Sequence, residues 1–406
     1  MKQTPDNSNL LLQISSAGRQ VNQIPEAVFL KKAGIFIKFL LYCLIPFSSL
    51  PESLAQIPAA DLEALFTEPK SYTVPFTVIA PGIDGNLNEE VWQQVPWSTD
   101  FIDIEGNKKP KPNYKTRLKM LWNDSCIFVA AELQEPHVWA YLKQHDQIIY
   151  QDNDFEIFID PDNDNQLYYE IEVNAQNTIL DLLLNKPYRD AGNALIHWNL
   201  DKLKSAVQVQ GTLNNAADAD KGWTVEMAIP FKSLAIWGRE IKPREGSWWR
   251  INFSRVEWDT DISGNQYLKK KDNKGKPLPE HNWVWSPQGV INMHYPERWG
   301  YLLFTRRQTG SQLPAFILPD SEKLKSYLWL IYYRQKRYYE QHQQYTASLQ
   351  KLGFPDKNRV TIANQNNLLQ LEAITHQFTA TITTPDSTSW RIDQDGLLQK
   401  IENKNQ

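Results

Sequence analysis

From Tyr72 to Phe304 the chain is cut into short extended segments closed by turn-forming residues, and this punctuation restricts the fold more than any other feature. The segments include YTVPFTVI, YKTRLKMLW, CIFVAAEL, DFEIFID, LYYEIEVN, TILDLLL, GWTVEMAIP, WWRINFSRVEW and WGYLLF. Between them stand APGIDGN, DPDNDNQ and DNKGKPLPE, rich in residues that supply turn dihedrals or bond their own backbone. In YEIEVN, Tyr169, Ile171 and Val173 share one face, and Glu170, Glu172 and Asn174 the other. Only two short helical stretches interrupt the pattern, NEEVWQQV at residues 88–95 and PFKSLAIW at 230–237. Closely spaced strands of this kind predict an all-β protein, an antiparallel sandwich.

The composition changes near Leu318. SEKLKSYLWLIYYRQKRYYEQHQQYTASLQKL lacks Pro and Gly and carries Leu324, Leu328, Ile331 and Tyr332 on one helical face. Gly353 is the expected C-cap of that helix. Beyond it, ATITTPDSTSWRID reads as a hairpin turning at Thr384-Pro385-Asp386. At the other end, Lys31, Lys32 and Lys38 precede the apolar run Phe39–Phe47, and Ser53 and Ala55 supply the small residues of a cleavage site before Gln56. That order is a secretory leader, and its apolar run is too short to span a bilayer. The expected organisation is an N-terminal extension with leader over residues 1–55, a β-sandwich over 70–306, and a C-terminal helix with a small β extension over 315–406. The mature protein is then secreted or periplasmic, without a transmembrane span.

Charge and cysteine usage exclude several classes. The formal net charge is −4, which argues against a nucleic-acid partner. Two cysteines make no disulfide framework: Cys43 falls in the leader, and Cys126 reads as an inert core thiol. The chain holds 15 Trp, and 13 of them lie between Trp92 and Trp299. Each is either core or an aromatic platform for a sugar ring, and core is the commoner role.

Several segments, in order, resemble the family 9 carbohydrate-binding modules. They are IDGNLNEEVWQQVPW from Ile83, LWNDSCIFVAAELQEP, YQDNDFEIFIDPDND, YEIEVNAQNT, GWTVEMAIPFKSL and WSPQGVINMHYPERWGYLLF. The resemblance implies a β-sandwich that binds oligo- or polysaccharide of the xylan or cellulose class in polysaccharide catabolism, often with structural calcium. Tyr150 stands where the family has a Trp ahead of the acidic strand, Glu156 matches its ligating Glu, and Asn174 its Asn. Glu172 replaces the family's Arg, and Met293, beside His294, replaces the second stacking Trp. Tyr150, Glu156, Asn174, Arg255, Met293 and His294 are the candidate sugar-site residues. Carboxylates and amides take hydroxyls bidentately while rings cover the sugar's apolar faces. The competing reading is that Glu156 and Asn174 line a solvated sheet face.

Asp160, Asp162 and Asp164 alternate like the start of an EF-hand loop, but Asn165 and Ile171 break that motif. They remain candidate calcium ligands or an acidic turn. Two other classes stay open. A glycoside hydrolase acting on O-glycosyl bonds would use carboxylates such as Glu156, Glu170 and Glu172, though no catalytic motif marks them. A haem-binding electron-transfer domain would need His294 with Met120 or Met227, because neighbouring Met293 and His294 point to opposite sides of a strand.

Overall fold

The computed structural model describes residues 62–236 and 241–401. The leader, its Ala55–Gln56 boundary, Cys43 and Trp237 lie outside them. Fifteen strands form the sandwich region. They are β1 (Ser71–Phe76), β2 (Ile102–Asp103), β3 (Thr116–Trp122), β4 (Cys126–Gln134), β5 (Asp154–Asp160), β6 (Tyr168–Asn174), β7 (Ile179–Leu184) and β8 (Ala194–Leu195). There follow β9 (Lys204–Gln210), β10 (Gly222–Pro230), β11 (Trp248–Glu257), β12 (Thr260–Ser263), β13 (Gln266–Lys269), β14 (His281–Val284) and β15 (Gly300–Gln308). A single-turn helix α1 (Glu90–Gln93) precedes β2.

The order β8-β7-β6-β5-β11-β15 continues through β1 into β3-β4-β10-β9. Pairing is antiparallel except at β1, which runs parallel to both β15 and β3. The purely antiparallel expectation is corrected at that strand: β1 closes one layer onto the other, and no hairpin can make that connection. The two layers enclose one apolar core. Phe155, Ile157, Tyr169, Ile171, Val173, Ile251 and Phe253 from the first layer meet Leu118, Met120, Phe128, Val129, Trp223 and Met227 from the second. The alternation of YEIEVN is therefore real, and its odd-numbered residues face inward. Trp92, Trp122, Trp223, Trp249, Trp283 and Trp285 also lie in this core, so the structural role of Trp prevails. Cys126 is only partly buried at the start of β4, not a core residue. The expected helical turns after Pro230 are backbone turns at Ser233, Leu234 and Ala235.

The C-terminal region is a long helix α2 (Asp320–His342) on a five-stranded antiparallel sheet. That sheet comprises β16 (Arg359–Ile362), β17 (Gln365–Ala373), β18 (Phe378–Thr383), β19 (Ser389–Asp393) and β20 (Leu398–Ile401). Leu324, Leu328, Ile331 and Tyr332 are buried, as their spacing predicts. The helix stops ten residues earlier than expected, at Gln343 in the left-handed region with φ 56°. Gly353 instead ends the short 3-10 turn Gln350–Leu352. β18 and β19 do turn at residues 384–388, where Thr384 N donates to Thr388 O. Leu62 and Leu65, ahead of the sandwich, pack into this C-terminal cluster. Among the described residues no helix is long and apolar enough to cross a membrane.

A buried ion pair fixes α2 to the sandwich. Arg250 Nη2 lies 2.7 Å from Glu322 Oε2, and the Tyr301 hydroxyl donates to the same oxygen. Lys325 Nζ reaches the other oxygen at 2.8 Å. Burial works to raise the Glu322 pKa, but Lys325 and Arg250 together hold it below the usual carboxylate range. Removing one partner of such a pair strands a buried charge. Glu322→Ala should therefore cost about 3 kcal/mol in denaturant unfolding. A loss under about 1 kcal/mol would show that apolar packing alone docks the helix.

Candidate functional site

The even-numbered residues of β5 and β6 face away from the core, and they are buried too. Across the antiparallel pair, Asp154 stands opposite Asn174, Glu156 opposite Glu172, and Phe158 opposite Glu170. On the other side of β5, Ser254 of β11 is the partner of Glu156. Glu156 is 4% exposed, Glu172 3% and Glu170 6%, so the solvated-face reading is corrected. One oxygen each from Asp154, Glu156 and Glu172 lies within 4.8 Å of the others. Burial raises all three pKa values well above the usual carboxylate range, and the neighbouring negative charges add to it. Glu170 is pushed up to about 8 by burial and then by Glu156.

Two tyrosines border these carboxylates. Tyr150 sits on the 3-10 turn Ile149–Gln151, half-buried. Its N–H donates to Glu172 Oε2 at 2.9 Å, and Trp258 Nε1 donates to its carbonyl. Tyr188 opens the 3-10 turn Tyr188–Asp190 and is 39% exposed. Burial of its hydroxyl raises its pKa, and the charges of Glu170 and Glu172 raise it further. The ring of His294 meets that of Tyr188 edge-on at 4.6 Å, and its Nδ1 is bonded to the Tyr168 hydroxyl at 3.0 Å. Lys269 holds its ammonium 3.3 Å above the Trp258 ring and donates to Gln151 Oε1. Burial lowers its pKa to about 8 against the pull of Asp152, Glu280 and Asp154. A recessed carboxylate floor with aromatic rims can accept hydroxyls and cover an apolar ring face.

The sequence-predicted residues divide between this cleft and elsewhere. Tyr150, Glu156 and His294 come together there. Met293 is buried in the apolar cluster with Phe158 and Trp299, its sulfur accepting from Gln288 Nε2, so it offers no stacking surface. Asn174 is fully committed: its Nδ2 donates to Leu142 O and Asp152 Oδ2, and its Oδ1 accepts from the N–H groups of Gln176 and Thr178. Arg255 points to the opposite side of β11, because its neighbours in phase are Phe253 and Glu257. There it bridges Glu135 and Glu257 at 2.7 Å each and borders a separate cavity of about 130 Å³ lined by Tyr114, Trp139, Trp258 and Trp283. Met120 and Met227 lie in the inner core, away from His294, so the haem ligand pair is not assembled.

At the far end of β5, Asp160, Asp162 and Asp164 do converge, with one oxygen each within 4.8 Å. Asp160 is fully buried and accepts the N–H groups of Asn163 and Asn165 at 2.9 and 3.0 Å. Both asparagines are left-handed, at φ 63° and 69°, a conformation Asn tolerates. Three carboxylates on a tight turn are a hard-oxygen donor set that fits a calcium-class ion.

Asp154, Glu170 as part of a sugar site, Ser254 and Tyr188 went unrecognised in the sequence. The first two share the two-residue phase of Glu156 and Glu172, so the signal was present. Ser254 depends on a non-local pairing. Tyr188 is marked only by lying in a turn.

The class defined here is a β-sandwich with a buried carboxylate cluster bordered by tyrosines on one sheet face. The family model for "Carbohydrate family 9 binding domain-like" proteins matches residues 83–285, half of the chain, and the protein belongs to that family. A family 9 module from Caldicellulosiruptor kristjanssonii in complex with cellotriose is 16% identical, with 61% of this chain and 100% of that chain covered and a TM-score of 0.36. The module in complex with glucose gives 16%, 62%, 100% and 0.37. A protein of proposed carbohydrate-binding role from Bacteroides uniformis gives 16%, 58%, 100% and 0.44. No curated protein matches the chain.

His294 generates a pH prediction. Enclosure of its ring, and then the charge of Arg189, lower its pKa to about 3. The unfolded chain takes up this proton near pH ~6.5, whereas the folded chain does not until about pH 3. Stability is thus fully present above the unfolded value and falls as pH drops between the two. The slope from this group is up to ~1.4 kcal/mol per pH unit. His294→Gln should flatten the acid limb of a melting-temperature profile, and an unchanged limb would place the titration elsewhere.

Proposed function

We propose that this chain is an exported, non-catalytic carbohydrate-binding protein that holds a sugar ring over the outer face of β5 and β6. Glu156 and Glu172 accept hydroxyls at the floor, and Tyr150 and Tyr188 cover the ring from the sides. The observation that carries this reading is the pairing of recessed carboxylates with two accessible tyrosines in a chain of this family. Tyr188 takes the place of the aromatic clamp that Met293 does not supply. Plant-type xylo- and cello-oligosaccharides are the proposed ligands. Calorimetric titration with these sugars tests it. Glu156→Gln keeps the shape and removes the charge, so affinity should fall by roughly 1–3 kcal/mol. Tyr188→Ala should cost about 1 kcal/mol. Equal binding by wild type and both variants would move the site elsewhere.

Two further expectations belong to this reading. The order of lysines, apolar run and Ser53-x-Ala55 supports export with cleavage after Ala55. N-terminal sequencing of the mature protein should then begin at Gln56, and an intact N-terminus on exported protein would contradict it. Asp160, Asp162 and Asp164 would hold a structural calcium ion, adding stability by binding the folded state alone. Asp162→Asn with Asp164→Asn should abolish the part of the melting temperature that calcium contributes. A chelator-insensitive melting curve for the wild type would rule the ion out.

A further inference from the structure

We propose that Asp154, Glu156 and Glu172, joined by the Ser254 hydroxyl, form a second site for a divalent cation of the calcium class, set in the floor of the cleft.

The three carboxylates are gathered by strand register, not by a flexible loop. Glu156 and Glu172 are direct cross-strand partners, and Asp154 lies two residues from Glu156 on the same face. Like charges directly opposed on adjacent strands destabilise a sheet. A compensating positive charge or shared protons must therefore occupy this spot. The buried oxygens distinguish the two. Ser254 is fully buried and stands beside Glu156 in the ladder, with its hydroxyl turned to that carboxylate. Asp154 is likewise fully buried, and its Oδ2 has no hydrogen-bond partner. Buried polar atoms are almost always paired. The orphaned Asp154 oxygen and the buried Ser254 hydroxyl, beside carboxylates already within 4.8 Å of one another, match the oxygen shell of a hard cation.

No side chain takes that role. Among the described residues none of the three carboxylates is in an ion pair with Lys, Arg or His. Lys269, which acts electrostatically on Asp154, is engaged with Trp258 and Gln151. The site is separate from the Asp160 turn, because Asp154 and Asp160 are the two ends of β5, roughly 20 Å apart at the rise of a strand. The consequence for ligand binding rests on the sugar-site reading above: an ion here neutralises the floor and offers open positions to adjacent sugar hydroxyls.

The test uses the full chain carrying Asp162→Asn and Asp164→Asn, which silences the turn site. After chelation, calcium chloride is titrated calorimetrically, and terbium chloride is followed by luminescence sensitised through the nearby aromatics. One ion should bind per chain. Binding should weaken about tenfold or more when Glu156→Gln or Glu172→Gln is added. Ser254→Ala, which removes only that hydroxyl, should weaken it several-fold. Absence of ion binding at millimolar calcium and neutral pH overturns the proposal in favour of shared protons, as does equal binding in all three variants. The sugar titration is separate: a chain that binds the ion but no sugar defeats only the sugar reading, and one that binds sugar but no ion defeats only this site.

Discussion

Strands β5 and β6 are buried on both faces, and the rest of the molecule is arranged around that constraint. Their inward residues are apolar and make the core. Apart from Phe158, their outward residues are Asp, Glu, Asn and Tyr, which must find partners or remain costly. Most of them do. Asp160 is absorbed by the N–H groups of its own turn, and Asn174 by the 174–178 turn and Asp152. On neighbouring β11, Asn252 is likewise held by Ser286. What is left over is concentrated in one place, the carboxylates of Asp154, Glu156, Glu170 and Glu172. An unresolved polar cluster inside an otherwise satisfied face is where function is expected, because stability alone would have favoured apolar residues there.

The C-terminal region braces the rim of that place. Arg189, next to Tyr188, donates to His294 O and Glu297 Oε2. Helix α2 grips both segments: the Tyr333 hydroxyl donates to Glu297, and Tyr332 and Lys336 reach Asp190. The Arg189 guanidinium also lies over the Tyr295 ring at 4.3 Å. The turn that presents Tyr188 and the segment that presents His294 are thus fastened to each other and to the same helix. The tail is accordingly part of the framework that holds these two segments, and its buried charges specify one docking geometry where a smooth apolar contact would permit several.

Legibility in the sequence followed the range of the interaction. The strands, the hairpin at Thr384 and the apolar stripe from Leu324 to Tyr332 are set by neighbours within a few residues, and each was readable. The parallel pairing of β1 with β15 joins residues some 230 apart in the chain and left no local trace. The same limit governed the site. Glu156 carried a family match and a phase. Arg255 and Asn174 had suitable chemistry, yet one faces the wrong side of its strand and the other spends every hydrogen bond on its own fold. Residue type alone does not show which polar groups are left over. That depends on what the folded backbone has already satisfied, as Ser254 illustrates in the opposite sense.

The central claim is that a sugar binds on the outer face of β5 and β6, between the turns carrying Tyr150 and Tyr188. Hydrogen exchange of the full chain with and without a saturating oligosaccharide reports this directly. The account predicts slowed exchange in Ile149–Gln151 and Tyr188–Asp190, with no change around Tyr114 and Trp283, which line the cavity beside Arg255. Protection around Tyr114 and Trp283, with none at the two tyrosine turns, would contradict it.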